Sequence, residues 1–121
     1  MLRANKLPEI LEASLLDGIH SAVLMTLDGS IICSKLLDDS PLNETTLAAI
    51  GSSVWLNYSP GGTSDVSMII ENLSGGILGI ASTQRGYIVA LCGNKNTSIG
   101  MIRTRLTELS KYFIRVFDQI K

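Results

Sequence analysis

The sequence predicts an α+β fold in which helices cover the faces of an antiparallel sheet. Two observations indicate it. Strand-like apolar runs alternate with short Gly-, Asp- and Ser-containing breaks of hairpin length. The C-terminal segment instead repeats apolar residues in steps of three and four, which is the spacing of an amphipathic helix. The 121 residues are expected to form a single domain, residues 1–121.

The first third of the chain is predicted to form a helix followed by a hairpin. Apolar residues at helical spacing within Leu2–Leu16 predict the helix, and Gly18 fits a helix terminator. Two β-rich runs, His20–Leu27 and Ser30–Leu36, follow it. They are joined by Asp28-Gly29, which predicts a type I′ turn because glycine accepts a positive φ.

The rest of the chain is predicted to form a helix, a three-stranded meander and a last helix. Alanine, leucine and isoleucine favour a helix over Glu44–Tyr58, and Ser59-Pro60-Gly61-Gly62 ends it. The apolar stripe of the last helix runs from Ile99 to Ile120, with charged residues mostly opposite. The strand-like runs between these helices are Asp65–Leu73, Ile77–Thr83 and Tyr87–Cys92. The predicted order is therefore α-β-β-α-β-β-β-α.

The composition argues against several classes of function. Ten Lys and Arg against eleven Asp and Glu give a net charge of −1, which favours neither nucleic acid nor an anionic membrane as a partner. No apolar run approaches the ~20 residues that span a bilayer, so we expect no direct membrane insertion and a membrane address only through a partner. The mean hydropathy of +0.30 is high for a small domain, which indicates that a partner covers some apolar surface.

No residue pattern predicts an enzyme, a metal site or a cofactor site. His20 is the one histidine, and no sequence pattern supplies it with a nucleophile and an orienting carboxylate. Cys33 and Cys92 lie far apart without metal-ligand or CxxC spacing, and we expect both to be reduced and buried. Ser74-Gly75-Gly76 lacks the lysine of a phosphate loop and is interpreted as a turn. We therefore expect a non-catalytic protein with no metal and no cofactor.

The second predicted helix differs from the last one because neither of its faces carries charge. No charged residue occurs from Thr45 to Tyr58, and no Lys or Arg occurs between Lys35 and Arg85. One broad arc of this helix is apolar and is expected to cover the sheet; its residues are Leu47, Ile50, Gly51, Val54, Trp55 and Tyr58. A solvated helix face normally carries Lys and Glu, whereas small neutral residues allow a second helix to approach closely.

The opposite face of that helix and the strand after it form the predicted partner interface. The strand alternates only weakly and carries little that would block pairing with another chain at a sheet edge. The predicted interface residues are Thr45, Ala49, Ser52, Ser53 and Leu56 of the helix and Val66, Ser67, Met68 and Ile70 of the strand. The alternative is a neutral helix that is merely exposed, or is covered by a loop of its own chain.

Four groups of residues carry a resemblance to a known family. They are Met1-Leu2-Arg3; Leu27-Asp28-Gly29-Ser30 in the first hairpin; Leu47-Ala48-Ala49-Ile50 with Ser53, Trp55 and Tyr58; and Gly100-Met101-Ile102-Arg103 with Arg105. In this combination, and over essentially the whole chain, the sequence resembles the roadblock/dynein light chain family. Within that family it looks most like the roadblock subunit of the Ragulator complex, called the EGO complex in fungi, a late endosomal/lysosomal adaptor. The short connection Ser59–Ser64 departs from the longer loop found there.

The resemblance implies a fold, a mode of assembly and a cellular place. The fold would be the roadblock (profilin-like) sandwich with a five-stranded antiparallel sheet. The chain would pair with a second roadblock subunit through its second helix and third strand, which joins the two sheets into one. A lipidated scaffold subunit would tether this heterodimer to the cytosolic face of the late endosome, lysosome or vacuole. The assembly would help anchor Rag-type small GTPases, which signal amino-acid supply to the TOR kinase.

Three other functions stay open at this stage. Within the same fold, the chain would be either a dynein-associated roadblock light chain, which forms homodimers, or a GTPase-activating homodimer like the bacterial roadblock proteins. The third is a small-molecule-binding α/β domain, although no set of convergent polar residues marks a pocket.

Overall fold

A computed structural model describes residues 6–58, 68–83 and 86–118 of the chain. The elements are α1 (Lys6–Glu12), β1 (Ile19–Thr26), β2 (Ile31–Leu36), α2 (Glu44–Tyr58), β3 (Met68–Leu73), β4 (Gly76–Ser82), β5 (Tyr87–Asn94) and α3 (Ile99–Asp118). Their order is α-β-β-α-β-β-β-α, and the strands form one five-stranded antiparallel sheet. The predicted α+β fold class is confirmed.

The strands lie in the order β2-β1-β5-β4-β3, and every neighbouring pair is antiparallel. Three of the four pairs join strands that are consecutive in the chain. The fourth pair, β1 with β5, brings the two halves of the chain together at the centre of the sheet. Within the described residues, β2 and β3 are the two edge strands.

The core has two layers because the side chains of each strand alternate between the two faces of the sheet. Ala22 and Leu24 of β1 face α1 and α3, whereas Val23 and Met25 face α2. The predicted apolar stripe of α3 fills the first layer with Ile102, Leu106, Leu109, Phe113 and Phe117. Burial of one such side chain contributes about 1.5–3 kcal/mol. The sheet is thus covered on both faces.

The first hairpin is not the predicted type I′ turn. That turn requires a positive φ at both central residues, but only Gly29 has one (φ 92°), whereas Asp28 does not. The Gly29 N–H donates to the Thr26 carbonyl at 3.0 Å, and the Thr26 N–H donates to the Ser30 carbonyl at 2.9 Å. The Asp28 carboxylate accepts from the Thr26 hydroxyl, which stabilises this alternative turn. The hairpin itself was predicted and its turn type was wrong.

Element ends agree with the prediction where a local capping signal is present. Helix α2 has the predicted bounds because the Asn43 Oδ1 accepts a hydrogen bond from the Thr46 N–H at 2.8 Å. Helix α1 ends at Glu12, earlier than predicted; i→i+3 hydrogen bonds follow it, and the chain then turns through Asp17 (φ 57°) and Gly18 (φ 95°) to enter β1. The predicted starts of the first helix at Leu2 and of the third strand at Asp65 lie outside the described residues.

Two further features are absent from the part of the chain that the structure describes. No helix among the described residues is long and apolar enough to cross a membrane. Nor do three or more His, Cys, Asp or Glu side chains come together in a way that would hold a metal ion.

Candidate partner interface

Helix α2 presents one face to the sheet and leaves the other exposed. Leu47, Ala48 and Trp55 are buried and pack on the α2 side of the sheet. Thr45, Ala49 and Ser53 follow one another at four-residue intervals and are all exposed. Four residues apart is one turn, so these three side chains form a single row.

The exposed row of α2 continues into large apolar side chains. Leu56 is 43% exposed and Tyr58 is 57% exposed, at the C-terminal end of the helix. The one charged side chain of α2 is Glu44 in the first turn, and its carboxylate accepts a hydrogen bond from the Ser34 hydroxyl of β2. The remaining turns are uncharged, which is unusual for a helix face in water.

Ser52 does not belong to this exposed face, although the sequence placed it there. It is only 7% exposed, and its hydroxyl donates to the Leu27 carbonyl at 2.7 Å. This bond fastens α2 to the first hairpin. A helical projection puts Ser52 at the border between the two faces, and the neighbouring hairpin decides the side.

Strand β3 supplies the second part of the predicted interface, a free edge of the sheet. Its hydrogen-bonding partner on one side is β4, and no described strand lies on the other. Met68 and Ile70 pack on the α3 side of the sheet, so their side chains point away from α2. Their contribution to an interface would come from the backbone groups at the open edge. The predicted residues Val66 and Ser67 lie outside the described residues.

A step of half-buried apolar side chains lies between α2 and the edge of the sheet. Helix α2 packs mainly on β1 and β2, away from β3. Its flank residues Ile50 and Val54, with Ile69 and Leu73 of β3, are only partly buried against the core on that side. The name α2–β3 surface is used for three parts together: this step, the exposed row of α2 and the free edge of β3. Sequence reasoning missed the step because it assigned Ile50 and Val54 to the covered arc.

One carboxylate lies within this step. Glu71 is half-buried between Ile69 and Leu73 and is paired across the ladder with the fully buried Leu78 of β4. Its Oε2 atom is buried and accepts no hydrogen bond from the described residues. Buried polar atoms normally have a partner, so this oxygen is an exception that asks for an explanation.

The end of the α2–β3 surface opens into a cavity of about 270 Å³. His20, Ile50, Leu73 and Cys92 are among its lining residues. The His20 Nδ1 lies 3.0 Å from the Ser21 hydroxyl and 3.2 Å from the Ser40 hydroxyl. Burial lowers the pKa of His20 below 6.5, and the charge of Asp39 opposes this effect.

The arrangement around His20 supports a structural role for its hydrogen bonds. Ser21 is fully buried within β1, so its hydroxyl is out of reach of a substrate.

Both cysteines are free thiols, and burial raises the pKa of Cys33 and of Cys92 to about 11. Such thiols are poor nucleophiles because the thiolate is the reactive form.

Comparison with known proteins places the fold. No protein-family model matches the sequence, and no curated protein matches it significantly. Among solved structures, MglB from Myxococcus xanthus is 16% identical with a TM-score of 0.80, covering 100% of this chain and 96% of that chain. A roadblock/LC7 domain from Streptomyces avermitilis is 18% identical with a TM-score of 0.74, covering 93% and 97%.

A third solved structure agrees with these two. MglC from Myxococcus xanthus is 17% identical with a TM-score of 0.71, covering 93% of this chain and 98% of that chain. At such identities the likeness shows the fold alone. The fold of this chain is that of the roadblock/LC7 domain.

Proposed function

We propose that this chain is a non-catalytic adaptor that pairs with a second roadblock chain through the α2–β3 surface. The observation that carries the proposal is an uncharged, exposed helix face together with a free sheet edge, with half-buried apolar side chains between them. A partner of the same fold would extend the sheet by backbone hydrogen bonds at β3 and pack its own helix against α2. The small side chains of Ala49 and Ser53 would let the two helices approach closely.

The step between α2 and β3 supplies the apolar part of this proposed contact. Ile50, Val54, Ile69 and Leu73 are each half-buried in the isolated chain, so a partner would complete their burial. Each 100 Å² of apolar surface that it removes from water contributes about 2.5 kcal/mol. Helix α2 and strand β3 are both about 20 Å long, so a partner of the same fold would cover them together.

The finer proposal is that the pair serves as a docking scaffold for small GTPases of the Rag type. In this proposal a lipidated scaffold subunit tethers the pair to the late endosome, lysosome or vacuole, where it contributes to amino-acid signalling to TOR. Its support is the resemblance to the Ragulator (EGO) roadblock subunit in α2 and at the start of α3. Helix α3 carries that resemblance on Arg103, which is exposed, and Arg105, which is partly exposed.

A second candidate is a homodimer that activates a GTPase. Its support is the fold that this chain shares with the roadblock proteins MglB and MglC. The two candidates share the α2–β3 surface and differ in what occupies it.

Affinity purification of the tagged chain from its native cells, with mass spectrometry of the bound proteins, tests the proposal. Recovery of a second roadblock subunit with Rag-type GTPases supports the scaffold. Recovery of dynein intermediate chain supports the light-chain alternative. A parallel purification of an Ala49→Glu chain identifies the proteins whose binding depends on the α2–β3 surface.

A turnover assay separates the two GTPase hypotheses. Nucleotide hydrolysis by a recovered GTPase is measured alone, with this chain, and with the assembled pair. An unchanged rate agrees with a scaffold, whereas acceleration by this chain alone supports the activating homodimer. A chain that recovers neither a roadblock subunit nor a copy of itself would refute the pairing proposal.

A further inference from the structure

The charges of this chain are unevenly distributed along its sequence. All ten basic residues lie at or before Lys35 or at or after Arg85. The segment between them contributes the whole α2–β3 surface and contains five acidic residues and no basic one. These acidic residues are Asp38, Asp39, Glu44, Asp65 and Glu71. The net charge of −1 conceals this separation.

Among these acidic residues Glu71 has a special position. It lies on the edge strand, on the α2 side of the sheet, between two apolar side chains of the step. Its buried Oε2 has already lost contact with water and has gained no hydrogen bond from the described part of the chain in return. A partner that covers the step would remove the rest of its hydration, and an unpaired buried carboxylate is strongly unfavourable.

Pairing of two identical copies does not remedy this. In a twofold pair, each residue of the surface faces another residue of the same surface. Because that surface contains no Lys or Arg, a second copy has no cation to place opposite Glu71. It would instead bring a second Glu71 to the interface, and like charges across an interface suppress pairing.

We propose that the α2–β3 surface selects a different roadblock chain, one that places a Lys or Arg side chain opposite Glu71. This inference rests on the proposed pairing function and adds the chemistry by which the partner is chosen. The cation would donate to the buried Oε2 and convert an unfavourable charge into a charge-assisted hydrogen bond. Glu71 would therefore have two effects: it would favour a partner that supplies a cation, and it would disfavour pairing with a second copy of this chain.

The test uses this chain as its own partner after a change of charge. A copy with Asn57→Lys carries a cation on the exposed face of α2, one turn from Val54 on the flank, and keeps the small side chains of Ala49 and Ser53. The wild-type and the lysine copy, with different masses, are mixed and their pairs are counted by native mass spectrometry. We expect the ratio of mixed pairs to wild-type pairs to exceed its random value by about tenfold.

Two variants show whether Glu71 is the selecting group. Glu71→Gln keeps the shape of the side chain and removes its charge, so it should abolish the preference for mixed pairs and strengthen self-pairing. Glu12→Gln removes the same charge from an exposed position on α1, on the other face of the sheet, and should change neither.

The outcomes separate the inference from the proposed function. Wild-type copies that pair with each other as readily as with the lysine copy would overturn the inference and leave pairing through this surface intact. A preference that survives Glu71→Gln would overturn the role of Glu71. If no combination pairs, including the wild-type chain with the roadblock subunit recovered from cells, the pairing function fails and the inference with it.

Discussion

Ala49→Glu is the sharpest test of the α2–β3 surface because Ala49 lies within this surface and its side chain faces solvent in the isolated chain. Ala49 is exposed, and its neighbours one turn away, Thr45 and Ser53, are exposed and uncharged. Glutamate is a good helix former, so the free energy of unfolding of the isolated chain should change by less than about 0.5 kcal/mol. The isolated chain is therefore expected to fold normally.

The same substitution should have a large effect on pairing. A glutamate at position 49 would be enclosed by the partner's helix and lose its hydration without a cation from its own surface. An uncompensated buried charge is unfavourable by about 3–5 kcal/mol, which corresponds to an affinity loss of about 10²- to 10⁴-fold. Ala49→Gln has nearly the same size without the charge, so the difference between the two variants isolates the electrostatic part.

The assay measures the affinity of the purified chain for its roadblock partner and the urea midpoint of the isolated chain. Ala13→Glu is the matched control, because Ala13 is exposed at the end of α1 on the other face of the sheet. It should leave pairing unchanged. Wild-type affinity in the Ala49→Glu chain would show that the partner binds a different face. Stronger pairing by Ala49→Glu than by Ala49→Gln would show that the partner presents a cation at this position.

Three further predictions concern the isolated chain. Burial lowers the pKa of His20, so the folded state binds its proton less readily than the unfolded state. The free energy of unfolding should therefore fall as the pH drops below 6.5, by at most about 1.4 kcal/mol per pH unit, until the pH reaches the lowered folded pKa. A His20→Gln chain should lack this dependence in denaturant titrations between pH 7 and pH 5, and an unchanged slope would assign it to another group. Gly76→Ala should lower the free energy of unfolding by about 1–3 kcal/mol, because its Cβ would lie 2.2 Å from the Gly93 carbonyl oxygen. A lower urea midpoint would show this loss. Gly75→Ala, whose Cβ would meet nothing within 4 Å, should be near neutral, and equal effects would refute the packing argument. Because burial raises the pKa of Cys33 and Cys92 to about 11, iodoacetamide at pH 8 should alkylate the native chain about 100-fold more slowly than a free thiol. Mass spectrometry follows the reaction, and rapid native labelling would contradict the burial.

Much of the fold was predictable because its signals are local. Helix α2 is bounded by a capping asparagine and a Pro-Gly break, and α3 repeats its apolar stripe over five turns. The pairing of β1 with β5 is different, since no local residue pattern states which distant strands meet. That pairing places β2 and β3 at the edges, and so it decides which strand is free.

The candidate site was predictable only in part for a geometric reason. A helical projection gives the direction of each side chain, and it placed Thr45, Ala49, Ser53 and Leu56 correctly on the exposed side. It does not say where the helix lies across the sheet. Because α2 sits towards β1 and β2, the flank with Ile50 and Val54 and the facing side of β3 stay half-covered.

The two edge strands of the sheet are protected against pairing with another strand in different ways, and this difference bears on how the chain assembles. Natural sheets protect free edges with bulges, lysines and charged side chains that turn inward. Strand β2 has Lys35 and an irregular register opposite Leu24 and Met25, so another strand would align with it poorly. Strand β3 has a regular ladder with β4, and the one charge among its described residues is Glu71.

A single half-buried carboxylate protects the free edge of β3 against some partners and not against others. It opposes any strand that leaves it unpaired, including a second copy of this chain, and it favours a strand whose chain supplies a cation. Proline at the same edge would have opposed every partner alike, because it lacks the N–H that strand addition needs. In the proposed pairing, the residue that prevents indiscriminate strand addition is therefore also the one that identifies the correct subunit.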